Sequence, residues 1–181
     1  WGSAEIPVRD SYKYLGVVLH SNCKWTTHVA QVIEGGKAVL AKHSHMLKSQ
    51  KLPLHVRLLL YKQFVRPVLE YGAEVWYPTQ AQSRDLERIQ MHAARAILGC
   101  FGNTAAVAVR AELGLQSLAA RRREACLRWF AKLRSMEPGR LPAAVYELSR
   151  TQRRAAGSAH ASWGTRMQQL WQDMQQPEEA P

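Results

Sequence analysis

A chain of 181 residues, 46% of them hydrophobic, is long enough to bury a core and too apolar for wholesale disorder. Its 25 Lys and Arg against 14 Asp and Glu leave a formal charge of +11 and a sequence pI near 10.0, which turns attention to a polyanionic partner. No apolar run reaches membrane-spanning length, and Cys23, Cys100 and Cys126, with no CxxC pair, supply neither a disulfide framework nor a thiolate zinc site. A basic surface that only aids solubility or meets an acidic protein competes with nucleic acid as the explanation of the charge.

The first element is a β-hairpin in "EIPVRDSYKYLGVVLH". Ile6 and Val8 alternate with polar residues, Arg9-Asp10-Ser11 reads as a turn, and Tyr12, Tyr14, Val17, Val18 and Leu19 are strand-prone. Gly16 then falls in mid-strand, where glycine marks a bulge or the close approach of another backbone. From Trp25 the period changes to that of an amphipathic helix, with Val29, Val32, Ile33, Gly36, Leu40, His43 and Leu47 on one stripe. Thr26 or Thr27 is its candidate cap, and Gly35-Gly36 would allow another helix to cross closely.

Pro53 suits the first turn of the next helix, which turns Leu54, Leu58, Phe64, Val65, Val68 and Leu69 inward and kinks or breaks at Pro67. A helix after Thr79 buries Leu86, Ile89, Ala93 and Ile97 and ends at Gly99. A short helix runs from Asn103 or Thr104 to Leu113, stopped by Gly114. The next, capped by Ser117, buries Leu118, Ala125, Cys126, Trp129 and Leu133. After Met136, "EPGRLP" reads as a linker and "RTQRRAAGSAHASWG" as a small, polar, basic tail. A terminal helix around Trp163–Met174 docks through Trp163, Leu170 and Trp171.

Chemistry-bearing clusters are few. His20, Cys23, His28, His43 and His45 include an H-x2-C-x4-H spacing, but no fourth ligand is placed, and ordinary surface or core histidines are the preferred reading. Asp10, Asp85 and Asp173 fall in different elements, and there is no Asp-Asp pair, phosphate-cradling Gly loop or Gly-x-Ser-x-Gly elbow. The chain alone is therefore not expected to be an enzyme, and no cofactor or metal is expected. Arg121, Arg122, Arg123, Arg128, Lys132 and Arg134 face a single acid, Glu124, in one helix. Such a helix can track a phosphate backbone, or it can be a solvated charged face.

The order "YKYLGVVLHSNCKWTTHV", "LYKQFVRPVLEYGAEVW", "LERIQMHAARAILG" and "ELGLQSLAARR" resembles the region after the catalytic palm in reverse transcriptases of non-LTR (LINE-type) retrotransposons, over roughly residues 4–135. That resemblance implies a hairpin over residues 1–20 similar to the primer grip, with Tyr14-Leu15-Gly16 meeting the primer backbone. It also implies a thumb-like helical bundle over residues 21–135, before a linker and basic tail over residues 136–181. The family's aromatic-Asp-Asp motif lies upstream of the primer grip and is not in this sequence, which would make the chain a piece of a longer protein.

The expected fold is mainly α, with an N-terminal hairpin, a helical bundle and a C-terminal tail. The expected role is a nucleic-acid-binding fragment of a retroelement reverse transcriptase, binding RNA or an RNA–DNA duplex through Tyr14, Leu15, Gly16, Arg121, Arg122, Arg123, Arg128, Lys132, Arg153 and Arg154. The alternative is a domesticated relic serving as a structural subunit of a ribonucleoprotein such as a mitochondrial ribosome. Other protein subunits and no membrane are the remaining partner expectations. The compartment is reducing: nuclear or cytoplasmic for a retroelement product, mitochondrial for a relic.

Overall fold

A computed structural model describes residues 8–151 and 163–175. They are mainly helical, with a two-stranded antiparallel hairpin at the start. The chain divides into two compact units, Trp1–Ala120 and Arg121–Pro181.

The hairpin pairs β1 (Ser11–Tyr14) with β2 (Val17–His20) in the register Ser11↔His20 and Tyr14↔Val17. Leu15 and Gly16 form its turn with φ of 46° and 84°. Two positive φ values are what a two-residue turn needs to match the strands' twist, and Gly16 takes its value without a Cβ penalty. This corrects the mid-strand reading of Gly16. The chain bends at Asp10, whose carbonyl accepts from the Ser21 N–H at 2.8 Å at the end of the ladder, and Ile6 of the expected preceding strand lies outside the described residues. Alternation puts Val18 inward, buried, and leaves Tyr12, Tyr14 and Leu19 exposed on the other face.

Helix α1 (Thr26–Lys48) buries the expected stripe from Val29 to Leu47. Trp25 occupies its N-cap position without a side-chain bond, so neither Thr26 nor Thr27 caps it. His43 is half-buried, bonded to the Val39 carbonyl at 2.8 Å and stacked on Phe64. A Cβ on Gly36 would run into Leu69 Cδ2, so this glycine marks a close approach of another helix to α1.

That neighbour is the segment after Pro53: α2 (Leu54–Leu60), a π turn (Tyr61–Val65) and α3 (Arg66–Glu70). Pro67 has no N–H and its ring would clash with the carbonyl four residues back. The chain responds upstream, where Arg66 N–H bonds the carbonyl of Tyr61, five residues back. The wider turn keeps residues spaced by four on one face, and Tyr61, Val65, Leu69 and Ala73 are all buried. Leu54 and Phe64, expected inside, are exposed, and Val68 is only half-buried.

Helix α4 (Gln80–Leu98) opens on a reciprocal cap: Gln82 N–H donates to Thr79 Oγ1 at 3.2 Å and Thr79 N–H to Gln82 Oε1 at 3.1 Å. Leu86, Ile89, Ala93 and Ile97 are buried as the period predicts, and Gly99 ends the helix in the left-handed region. Gln90 is also fully buried. It accepts from Tyr61 OH at 2.7 Å and donates to the Gln116 carbonyl at 3.0 Å. Beside it Glu87 receives Arg110 at 3.1 Å and the Leu118 N–H at 2.9 Å, which ties α5 (Ala106–Leu113) and the start of α6 (Leu118–Arg134) to α4. Helix α5 begins later than Asn103 or Thr104, and the Ser117 cap is present, accepting from Ala120 N–H at 3.1 Å.

In the second unit, α6 is joined by α7 (Leu141–Thr151) and α8 (Trp163–Gln175). Helix α7 lies where composition suggested a tail; its Ala143 and Tyr146 are buried. Phe130 is the hub, with ring centroids 5.7 Å from Tyr146, 6.5 Å from Trp163 and 5.8 Å from Trp171. Gly164 and Met167 of α8 are buried, with Trp163, Leu170 and Trp171 half-buried. On α6, Cys126 and Leu133 are buried as expected, but so are Leu127, Phe130 and Arg122, whereas Ala125 and Trp129 are only half-buried.

Candidate nucleic-acid interface

The hairpin turn leaves all three of its expected residues exposed, Tyr14 at 59% and Leu15 at 73%, with Gly16 beside them. The turn is braced from the chain itself. Tyr71, just beyond α3, donates its hydroxyl to the Leu15 carbonyl at 2.8 Å. A Cβ on Gly16 would sit 2.9 Å from the Tyr71 ring. The close neighbour that Gly16 admits is thus an aromatic side chain from beyond α3, far away in sequence.

Beneath the turn, His28 anchors the hairpin to α1. It is 2% exposed, its ring lies edge-on to Trp25 and Trp76, and its Nδ1 accepts from the Val18 N–H at 3.3 Å. That bond requires the neutral ring with its proton on Nε2, which has no partner. Burial, and secondarily the Lys13 ammonium, holds its pKa below the ordinary histidine value. His20 accepts from the Asn22 N–H, and among the described residues no three His, Cys, Asp or Glu side chains gather as metal ligands.

The arginine-rich helix α6 exposes Arg123, Arg128 and Lys132, while Arg121 is half-buried. Arg122, expected to project outward, is buried at 8% exposure, because the inward stripe of α6 runs through Arg122, Cys126, Phe130 and Leu133. The exposed cations are partly engaged: Arg128 reaches Glu124 at 3.3 Å, Lys132 lies over the Trp129 ring, and Arg134 over Phe130 and Trp171. Arg153 and Arg154 lie outside the described residues.

A second basic feature escaped the sequence reading. Lys48 of α1 and Arg84, Arg88, His92 and Arg95 of α4 line a cleft of about 830 Å³. An adjoining hollow of about 600 Å³ shares Lys48, Arg88 and His92 and continues to Lys37. The signal was present as cations at three- and four-residue spacing on α4, the polar face opposite Leu86 and Ile97. No helix among the described residues is long and apolar enough to cross a membrane.

A hairpin leading into a helical unit, with exposed cations on separate elements, fits the retroelement resemblance of the sequence, and comparison with known proteins bears on it directly. No family model and no solved structure matches the chain. About half of the chain is related to retrotransposon reverse-transcriptase proteins. It is 34% identical over 97 residues, 52% of this chain, to the "Probable RNA-directed DNA polymerase from transposon X-element" of Drosophila melanogaster. It is 26% identical over 97 residues, 53% of this chain, to a 115 kDa protein of the type-1 retrotransposable element R1DM of the same organism. The match spans only 11% and 10% of those relatives' lengths.

Proposed function

We propose that this chain is the primer-grip and thumb-like part of a non-LTR retrotransposon reverse transcriptase, which holds RNA or an RNA–DNA duplex and does not polymerise by itself. The observation that carries the reading is the 97-residue similarity to an RNA-directed DNA polymerase. The braced Tyr14-Leu15-Gly16 turn ahead of a helical bundle supports it. The absence of polymerase activity from the isolated chain rests on its carboxylates. Asp85 is paired with Arg88 at 2.6 Å, and no Asp-Asp pair exists to hold two metal ions. The polymerase chemistry would belong to the longer parent. A domesticated ribonucleoprotein subunit is not favoured, since both relatives are transposon proteins.

The test is fluorescence anisotropy of a labelled RNA–DNA hybrid titrated with the purified chain across ionic strength. A log K that falls linearly with log salt at about 0.9 per neutralised phosphate is the expected result. A flat dependence, or primer extension by the isolated chain, refutes the proposal.

A further inference from the structure

We propose that the cleft between α1 and α4 is a binding site for a phosphodiester backbone, separate from the cations of α6. This rests on the nucleic-acid-binding reading above and names where in the first unit that binding occurs. Arg84, Arg88 and Arg95 recur along one face of α4, and Lys48 faces them from the end of α1. From Arg84 to Arg95 the helix rises about 16 Å at 1.5 Å per residue. At 3.4 Å of rise per nucleotide, that is the length of about five nucleotides of one duplex strand.

Of the two acids near this row, one is engaged elsewhere and the other pairs with a member of the row. Glu87 is occupied by Arg110 and the Leu118 N–H, and Asp85 holds only Arg88, across an exposed pair of little energetic worth. The side chains of Lys48, Arg84 and His92 have no ion pair or hydrogen bond among the described residues, so they can meet an incoming anion without breaking one. Arg95 is pre-set. One terminal nitrogen donates to the Thr104 carbonyl at 2.8 Å, which fixes the guanidinium, while its buried Nε has no partner. A planar guanidinium held in place suits phosphate better than a free lysine, because less side-chain freedom is lost on binding. The far end of the cleft is open: a Cβ on Gly102 would meet nothing within 4 Å.

The binding should be electrostatic and indifferent to base sequence, since nothing in this row is arranged to read base edges. The test compares the wild-type chain with two triple variants on a 20-mer RNA duplex, an RNA–DNA hybrid and a DNA duplex. One variant carries Lys48→Gln, Arg84→Gln and Arg88→Gln, and the other Arg123→Gln, Arg128→Gln and Lys132→Gln. All six side chains are exposed, so helix content by circular dichroism should be unchanged. The cleft variant should lose about three units of salt slope on the duplexes that bind, alike for all sequences. In the wild-type chain, bound nucleic acid should shield Lys48 from acetylation, read by mass spectrometry.

A cleft variant that binds like the parent, with Lys48 equally reactive in free and bound protein, overturns the cleft and leaves the proposed function standing on α6. A wild-type chain that binds none of the three duplexes overturns both. Preference among the three separates RNA from DNA as the source of the phosphates.

Discussion

Gly35 and Gly36 are adjacent in α1, yet alanine should have opposite effects at the two positions. An alanine in a helix interior is favoured over glycine by about 1 kcal/mol, because the glycine backbone loses more freedom on folding. At Gly35 the added Cβ would lie 3.5 Å from Val68 Cγ1, an ordinary contact, so Gly35→Ala should stabilise the chain by about 1 kcal/mol. At Gly36 the same atom would collide with Leu69 Cδ2 and crowd Ile89 Cδ1 at 3.4 Å. Leu69 is 1% exposed and cannot swing into solvent, so the helices must part or Leu69 must leave its rotamer. Overpacking of that kind costs about 1–3 kcal/mol. Set against the same gain of about 1 kcal/mol, Gly36→Ala should carry a net cost of up to about 2 kcal/mol, set mainly by how far Leu69 must move.

Urea unfolding followed by far-UV circular dichroism gives the comparison, with midpoints moving in opposite directions at unchanged slope. A double-mutant cycle isolates the cause. In a Leu69→Ala background the obstacle is gone, and Gly36→Ala should become stabilising, like Gly35→Ala in the parent. If Gly36→Ala raises the midpoint in the parent, the close crossing of α1 and α3 is wrong.

His28 should make stability depend on pH in one direction. Its folded-state pKa lies below the unfolded value of 6.5, so the unfolded chain binds the proton more readily, and stability is full above 6.5 and declines as pH falls below it. Protonation at Nδ1 would also break the bond from Val18 N–H. His28→Gln should therefore flatten the difference in stability between about pH 7 and pH 5, and an unchanged slope counts against His28 as its origin. In the second unit, Phe130→Ala should cost about 3–5 kcal/mol, since the ring is 1% exposed and joins three other aromatics. Trp129→Ala should cost clearly less, because that ring is half-exposed; equal losses in urea midpoint would contradict the observed facing of α6.

Sequence alone determined what depends on neighbours within a turn or two. The inward stripes of α1 and α4, the end of α4 at Gly99 and the Ser117 cap were all legible, because helical period and capping chemistry involve residues three or four apart. The retroelement resemblance was legible too, carried by the order of short motifs, and the similarity to transposon proteins over about half the chain agrees with it. Tertiary structure decided the rest. Gly16 lies in a tight turn braced by Tyr71, a contact between residues 56 apart that no local pattern announces. Gln90 is buried because Tyr61 and Gln116 come to it from other elements. On α6, Trp129 and Phe130 offer apolar faces about 100° apart, and periodicity cannot choose between adjacent residues. The choice fell to the rings of Tyr146, Trp163 and Trp171, which take Phe130 and carry Arg122 inward with it. The basic cleft is of the same kind: its α4 cations were a visible stripe, but only the packing of α1 on α4 brings Lys48 to face them.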